Sequence, residues 1–254
     1  MLALVANRIQ PLPTDCLGIL ETSESTPADG IYDIEVDGTP LRVLCDMSAF
    51  GGGWTTILQR SPEGSHVDFR RSFEEYRRGF GDVEEEGAFW LGLDTVHALT
   101  SATNSDNELL PAGHSQGMPW TDNAPLRPLW TILPGDSLTS TEHEGIYNVD
   151  GMAFSTFDRD SDLHDTLNCA TAFKSGWWFN GCSMANPTGV YNRSSGERDC
   201  RYESILNDGV EWTSHMGPFY SFREVHFKVR RAGGGEGDTS TTTYTTSAPP
   251  FGGS

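Results

Sequence analysis

The chain is poor in basic residues. It has 17 Lys and Arg against 36 Asp and Glu, a formal charge of −19 over 254 residues. The largest basic clusters are the pairs Arg70-Arg71 and Arg77-Arg78. Because so acidic a surface repels phosphate backbones, we expect no nucleic acid among its partners. The same negative charge favours binding of divalent cations and of basic proteins.

Long apolar runs are also missing. No stretch reaches the roughly 18 apolar residues that span a bilayer, so we expect no membrane insertion. The apolar opening 1–6 is too short for the central region of a signal peptide, and no basic residue precedes it, so a signal peptide is not evident in this chain. Residues 1–13 are predicted to be a poorly ordered leader.

Most enzyme signatures are absent. The sequence has no P-loop, no HExxH and no dinucleotide fingerprint after a strand. One pattern, Gly113-His114-Ser115-Gln116-Gly117, matches the nucleophile elbow of serine hydrolases. That elbow needs a strand before it and a helix after it, and Pro111 and Pro119 disfavour both. A serine hydrolase is therefore only a remote alternative, and we predict that the chain is not an enzyme.

The five cysteines contain no CxxC pair: they are Cys16, Cys45, Cys169, Cys182 and Cys200. This spacing argues against a zinc ribbon or a thioredoxin-type site. Five cysteines form at most two disulfides and leave one residue over. Disulfides imply an oxidising compartment, and a glycosylation sequon at Asn192 agrees with a secreted glycoprotein.

The 28 glycines, about one residue in nine, favour short strands and turns over long helices. Two strands flank the turn signal Asp37-Gly38 at 31–36 and 41–45, and further strands are predicted at 54–59, 89–93 and 225–230. Apolar spacing predicts a helix within 69–80 and another that begins in 95–100.

Two segments are predicted to lack regular structure. Five prolines within 102–134 exclude a regular central strand or a long helix there. Residues 232–254 are rich in Gly, Thr, Ser and Pro, which is typical of a disordered linker or an O-glycosylated stalk.

A series of landmarks then follows in a recognisable order. They include Asp15-Cys16, Gly30-Ile31-Tyr32, Cys45-Asp46-Met47, Gly51-Gly52-Gly53-Trp54-Thr55, Phe89-Trp90-Leu91-Gly92-Leu93, Asn168-Cys169-Ala170 and Trp177-Trp178. Over roughly residues 14–231 the chain resembles the fibrinogen C-terminal (fibrinogen-related) domain family, which includes ficolins, tachylectins and angiopoietin-like proteins. The resemblance implies an α+β fold: a mixed, mainly antiparallel sheet, short helices and a loop-rich subdomain that binds calcium and ligands.

The largest departure of the chain from the family pattern lies between two of its motifs. Members carry paired strands between their Phe-Trp-Leu-Gly motif and their Gly-Asp-Ser-Leu motif, which is Gly135 to Leu138 here. This chain has the shorter, Pro-rich segment 102–134 instead, through either real divergence or a gene-model error. A sheet that lacks two strands exposes edges and apolar area.

The run Asp158-Arg159-Asp160-Ser161-Asp162 carries three carboxylates at alternate positions. Calcium takes six to eight hard oxygen ligands, which such a loop can supply together with backbone carbonyls. An EF-hand does not fit, because Leu163 stands where that loop requires its turn glycine.

The resemblance implies which atoms bind Ca²⁺. They are the side chains of Asp160 and Asp162 and the backbone carbonyls of His164 and Thr166. Asp158 is expected to support the loop from outside this set, and Leu167 is a one-residue insertion relative to the family spacing.

The resemblance also implies the disulfides Cys16–Cys45 and Cys169–Cys182, which leave Cys200 either buried or linking two protomers. A homo-oligomer would form through Cys200 or through segments missing from this chain. A ligand pocket beside the calcium loop is expected from Phe173, Cys182, Ser183 and Tyr191. Ser183 replaces the histidine that the family has there, and we assign the tandem Trp177-Trp178 to the core.

These features predict a secreted, calcium-dependent recognition module of the innate-immune, lectin-like kind. Its ligands would be carbohydrates or acetylated glycans, because aromatic faces suit the acetyl methyl group and a backbone N–H suits its carbonyl oxygen. The alternative is a protein-binding module of the extracellular matrix or of a receptor, with no sugar specificity.

Overall fold

The computed structural model describes residues 11–61, 67–84, 87–101, 148–149, 151–190, 209–213, 221–222, 224–231 and 244–245. Several predicted features lie outside these residues: Tyr191, the sequon at Asn192, Cys200, the elbow motif 113–117 and the Pro-rich segment 102–134. Within the described part of the chain, no helix has the length and hydropathy to cross a membrane.

The described residues form short elements in a mixed order. The helices are α1 (Cys16–Thr22), α2 (Phe73–Arg78), α3 (Leu93–Ser101) and α4 (Cys169–Ala172). The strands are β1 (Gly30–Val36), β2 (Thr39–Asp46), β3 (Trp54–Arg60), β4 (Phe80–Gly81), β5 (Phe89–Trp90), β6 (Ala185–Asn186), β7 (Glu211–Trp212), β8 (Val225–Val229) and β9 (Tyr244–Thr245).

Strand β3 lies at the centre of an antiparallel sheet of seven strands. One edge of β3 pairs with β8 from Thr55↔Val229 to Arg60↔Val225, with a register shift between Thr56 and Leu58. The other edge pairs with β2 at its start and with β5 at its end. The path β1-β2-β3-β5-β4 is therefore antiparallel throughout, as expected for this α+β fold. β6 and β7 form a separate pair.

The predicted hairpin around Asp37-Gly38 is confirmed. β1 and β2 pair in continuous register up to Val36↔Thr39, which leaves a two-residue turn. Both turn residues have positive φ, 49° at Asp37 and 75° at Gly38. That combination belongs to a type I′ turn, whose twist matches the strands that it joins.

The helix predicted within 69–80 is shorter than its apolar spacing indicates. The side chain of Ser72 accepts the Glu75 N–H and the Glu75 carboxylate accepts the Ser72 N–H, so a capping box starts α2 at Phe73. Gly79, at φ 91°, ends it. The strand predicted at 89–93 is likewise limited to Phe89–Trp90.

The core is rich in aromatic side chains. Trp90, Trp178 and Phe154 are buried, and the Phe154 and Trp178 rings meet edge to face at 4.9 Å between centroids. Trp177 and Trp178 are each about 1% exposed, which confirms their assignment to the core. The tandem Trp, which follows the acidic loop (residues 157–167) in the chain, is therefore anchored in the core.

The ends of the described domain meet, and its tail joins the sheet. Arg231 donates to the Asp15 carboxylate at 3.1 Å and to Glu21 at 2.9 Å, both near the start of the chain. Beyond Arg231, in a tail predicted to be disordered, residues 244–245 form β9 and pair with β8. The domain bounds at 14 and 231 stay predictions.

Candidate metal and ligand site

The acidic loop leaves the core through a short bridge. The backbones of Ser155 and Trp177 exchange two hydrogen bonds, of 2.9 and 3.1 Å. Thr156 and Arg159 exchange two more, of 2.8 and 3.2 Å, and close a tight turn. The turn holds the start of the acidic run next to the buried tandem Trp.

Asp158 attaches this turn to helix α2. Its Oδ1 accepts the Phe73 N–H at 2.9 Å and the Thr156 hydroxyl at 2.7 Å. Phe73 is the first residue of α2, where N–H groups lack partners within the helix and a negative charge is favoured. Asp158 therefore joins the loop to the first turn of α2, and its place outside the metal ligands stays a prediction.

Asp162 closes the loop on itself. Its Oδ1 accepts the His164 N–H at 3.0 Å, and its Oδ2 accepts the Cys169 N–H at 2.8 Å. Cys169 is the first residue of α4 and is buried. The half-buried Asp162 carboxylate therefore has a fixed orientation, and each oxygen keeps a lone pair for a further partner.

Asp160 and Asp162 form a pair of like charges. The Asp160 carboxylate accepts the Asp162 N–H at 3.4 Å, which turns the two acidic groups toward each other. Burial and the neighbouring Asp160 carboxylate raise the pKa of Asp162, although the N–H groups of Cys169 and His164 oppose the shift. A bound cation would relieve both the repulsion and the cost of burial.

The predicted donor set is of the kind that calcium prefers. Among the described residues, no three His, Cys, Asp or Glu side chains converge on one point. The predicted set does not require three, because it combines two carboxylates with the carbonyls of His164 and Thr166. An all-oxygen set with carboxylates and backbone carbonyls suits a hard cation such as Ca²⁺ better than zinc.

Leu167, which the family resemblance marks as an insertion, follows a bend at residues 165–166. His164 Nδ1 accepts the N–H groups of Thr166 at 3.3 Å and Leu167 at 3.2 Å. The Leu167 side chain is 42% exposed. The bond from Cys169 to Asp162 still closes the loop behind it.

The acidic loop is joined to the segment after the tandem Trp. The disulfide Cys169–Cys182 forms, with 5.6 Å between Cα atoms, as does the other predicted disulfide, Cys16–Cys45. Leu163 N–H donates to the Asn180 carbonyl at 2.9 Å, and Asn180 N–H donates to the Cys182 carbonyl at 2.8 Å. The candidate metal ligands and Cys182 therefore belong to one crosslinked unit.

The structure places three of the four predicted pocket residues in that unit. Phe173 caps the end of α4 and is half-buried, with its ring centroid 5.3 Å from that of Phe179. Cys182 follows a cis peptide bond and is buried. Ser183 is also buried, and its Oγ accepts the Ala185 N–H at 3.1 Å, which leaves its O–H as the group that can donate.

The sequence analysis did not predict several residues that hold the candidate site in place. Asn168 caps α4 through the Thr171 N–H at 2.7 Å, and the buried Asn186 donates to the Phe173 carbonyl at 3.1 Å. Buried Arg60 donates from β3 to the Gly189 carbonyl at 2.6 Å. Asn168 could have been predicted from the sequence, because Asn directly before a helix is a common N-cap. Asn186 and Arg60 could not have been predicted, because their hydrogen-bond partners are distant in the sequence.

Three exposed apolar side chains lie on the acidic loop. Phe157, Leu163 and Leu167 are 43%, 65% and 42% exposed, and all three lie on the loop that carries Asp160 and Asp162. Exposed apolar residues close to fixed polar groups are typical of a recognition surface. The loop therefore presents carboxylates and exposed apolar side chains together.

A family model described as "Fibrinogen beta and gamma chains, C-terminal globular domain" matches residues 12–110 and 131–232. The interruption in the match falls within the Pro-rich segment. The sequence is 36% identical over 235 residues to the human fibrinogen alpha chain, which covers 85% of this chain and 27% of that protein. The chain spans only 27% to 36% of the length of the fibrinogen alpha chains that it matches first.

The chain is also similar to a lectin-named protein and to a solved structure with a bound peptide. Techylectin-5A of Tachypleus tridentatus is 34% identical over 237 residues, which covers 87% of this chain and 75% of that protein. The solved structure of lamprey fibrin D-dimer, complexed with the peptide ligand Gly-His-Arg-Pro-amide, aligns with a TM-score of 0.61 at 26% identity. That alignment covers 92% of this chain and 80% of the other.

Proposed function

This chain belongs to the fibrinogen C-terminal domain family, and from that premise we propose that it is a secreted, calcium-dependent module for carbohydrate or acetylated ligands. Members of the family are recognition modules and not enzymes, and the same holds for this chain. The calcium dependence, the ligand class and the secreted location belong to the proposal.

The observation that carries the proposal is the Asp160–Asp162 pair. One carboxylate is exposed and the other is half-buried and held by two N–H groups, so their repulsion is relieved best by a divalent cation. With calcium bound, the carbonyls of His164 and Thr166 would complete the protein's share of the ligands. The ion would order the loop and, through Cys169–Cys182, the segment at 180–183.

The ligand class follows from the groups beside the loop. The half-buried Phe173 offers an aromatic face to an acetyl methyl group, and the backbone N–H near Cys182 offers a donor to its carbonyl oxygen. The buried Ser183 has an O–H to donate but carries no charge. Techylectin-5A, a relative whose name marks it as a lectin, supports this choice.

A secreted location is supported by the two disulfides. Cys16–Cys45 and Cys169–Cys182 close loops with sequence separations of 29 and 13 residues. Each stabilises the fold by about 3 to 4 kcal/mol on the chain-entropy model, and such bonds persist in oxidising compartments.

The proposal is tested by binding of the oxidised, full-length chain to an array of N-acetylated and non-acetylated sugars, with calcium and with EDTA. We expect binding to acetylated sugars in calcium only, and a loss of tenfold or more in Phe173→Ala, because the ring supplies the apolar wall. Phe50→Ala is the matched control, since Phe50 is 69% exposed on a different loop. Absence of any calcium-dependent hit would reject the carbohydrate proposal.

Protein binding is the second candidate function. It is favoured by the exposed apolar residues Phe157, Leu163 and Leu167 beside the acidic pair. The lamprey fibrin relative, solved with a peptide ligand, supports it as well. A partner protein whose binding persists in Phe173→Ala but is lost in Leu163→Asp would assign the surface to protein recognition.

A further inference from the structure

The middle of the acidic run 158–162 is bonded to a residue outside the acidic loop. Ser155 Oγ accepts the Ser161 N–H at 2.9 Å. Ser155 is fully buried, whereas Ser161 is half-buried and stands between Asp160 and Asp162 in the chain. The hydrogen bond therefore joins the core to the one residue that separates the two acidic side chains of the candidate metal site.

Both backbone groups of Ser155 are bonded to Trp177. The Ser155 N–H donates to the Trp177 carbonyl at 2.9 Å, and the Ser155 carbonyl accepts the Trp177 N–H at 3.1 Å. Trp177 is about 1% exposed, and its ring centroid lies 5.6 Å from that of Phe227 on β8. Because burial and these two bonds restrict the movement of Ser155, its hydroxyl oxygen is an acceptor with a fixed position.

The bond to Ser161 holds a part of the run that the other bonds leave free to move. Asp158 attaches the start of the run to helix α2, and Asp162 attaches its end to helix α4. Among the backbone N–H groups of residues 160–162, the Ser161 N–H is the one that donates to a residue outside this segment. The position of the exposed Asp160 carboxylate therefore depends on the backbone at Ser161.

We propose that Ser155 is a positioning residue for calcium, an inference that rests on the calcium dependence of the proposed function. Ser155 is not itself a metal ligand. It holds Ser161 in place, so that the Asp160 and Asp162 carboxylates are oriented before the ion binds. A preorganised site binds more tightly because less conformational entropy is lost on binding, and the rigidity of a calcium site tunes its affinity.

The test compares Ser155→Ala with Ser175→Ala in the oxidised, full-length chain. Each variant removes one buried hydroxyl, and that of Ser175 donates to Asn186 Oδ1 at 2.7 Å, outside the acidic loop. Calorimetric titration measures the Kd for Ca²⁺. We expect Ser155→Ala to bind calcium about tenfold more weakly than the wild type, and Ser175→Ala to keep the wild-type affinity. Equal affinity of the two variants overturns the proposal.

Amide hydrogen exchange in the calcium-free protein separates this role from a general loss of structure. In Ser155→Ala we expect the Ser161 amide to exchange about tenfold faster, because its acceptor is gone, while the Trp177 amide keeps its protection. Loss of protection at Trp177 as well would assign Ser155 to the core alone and overturn the proposal.

The wild type distinguishes failure of this proposal from failure of the proposed function. If the wild type binds no calcium, the calcium dependence of the proposed function is wrong and Ser155 has no ion to position. If the wild type binds calcium and Ser155→Ala binds it equally well, the positioning role alone is wrong.

Discussion

At the scale of single residues, Tyr76 joins the segment before helix α2 to the segment before the tandem Trp. Its buried hydroxyl donates to the Phe69 carbonyl at 2.7 Å and accepts the Gly176 N–H at 3.1 Å, across 100 residues of sequence. Burial raises the pKa of Tyr76, so the phenol stays neutral. Tyr76 thereby fixes the segment that precedes the tandem Trp against α2.

Tyr76→Phe is expected to lower the free energy of unfolding by about 1 to 3 kcal/mol, because it leaves a buried carbonyl and a buried N–H without their partner. Urea denaturation followed by Trp fluorescence measures the loss. Tyr32→Phe is the control, since the Tyr32 hydroxyl donates to the Ala28 carbonyl at the surface. Equal stability of the two variants would contradict this role of Tyr76.

Individual acidic residues were easier to predict than their partners. The alternate carboxylates of 158–162 stand out in the sequence, and the family resemblance assigns them a metal. The bonds from Asp158 to Phe73 and from Leu163 to Asn180 join distant parts of the chain. No local pattern encodes them, because such partners are brought together only by the fold.

At the scale of elements, helix α2 depends on its cap. Glu75 accepts the Ser72 N–H at 2.9 Å, the Ser72 hydroxyl at 2.8 Å and Arg71 at 2.8 Å. The Ser72 N–H, with the Arg71 and Ser72 side chains, lowers the pKa of Glu75 from 4.5 to about 2. Since Asp158 binds the first turn of the same helix, the cap also supports the acidic loop.

The sign of this shift gives a pH prediction for Glu75→Gln. A lowered pKa in the folded state means that the Glu75 carboxylate stabilises the fold fully above pH 4.5 and loses that effect as pH falls toward 2. The difference in unfolding free energy between the wild type and Glu75→Gln should therefore be constant from pH 7 to 5 and shrink below. Urea titrations at several pH values measure it. A difference that stays constant down to pH 2.5 would contradict the assignment.

Helices and strands whose ends are set by a local sequence motif were predicted well. Those whose extent depends on distant contacts were not. Asp37-Gly38 determines the β1–β2 turn because both positions need positive φ. The helix was predicted too long because Phe69 and Phe80 have helical spacing in the sequence. Both lie outside α2 and pack on each other, with 5.0 Å between their ring centroids. β9 was missed because a Gly- and Thr-rich tail gives no sign of which strand it will meet.

At the scale of the whole molecule, two crosslinked regions share one core. Cys16–Cys45 ties α1 to β2, whereas Cys169–Cys182 ties the acidic loop to the segment after the tandem Trp. The disulfide pairing came from the resemblance, because five cysteines alone allow many pairings. The charge of −19 agrees with a cation site, but it could not locate one.

The proposed function requires one calcium ion, held through the Asp160–Asp162 pair. Calorimetric titration of Ca²⁺ into the oxidised, full-length chain tests this most directly, with Asp162→Asn as the variant and Asp165→Asn, an exposed residue of the same loop, as the control. We predict one ion per chain in the wild type and in Asp165→Asn, and affinity weakened about tenfold or more in Asp162→Asn. No binding heat in the wild type, or equal affinity in all three proteins, would contradict the account.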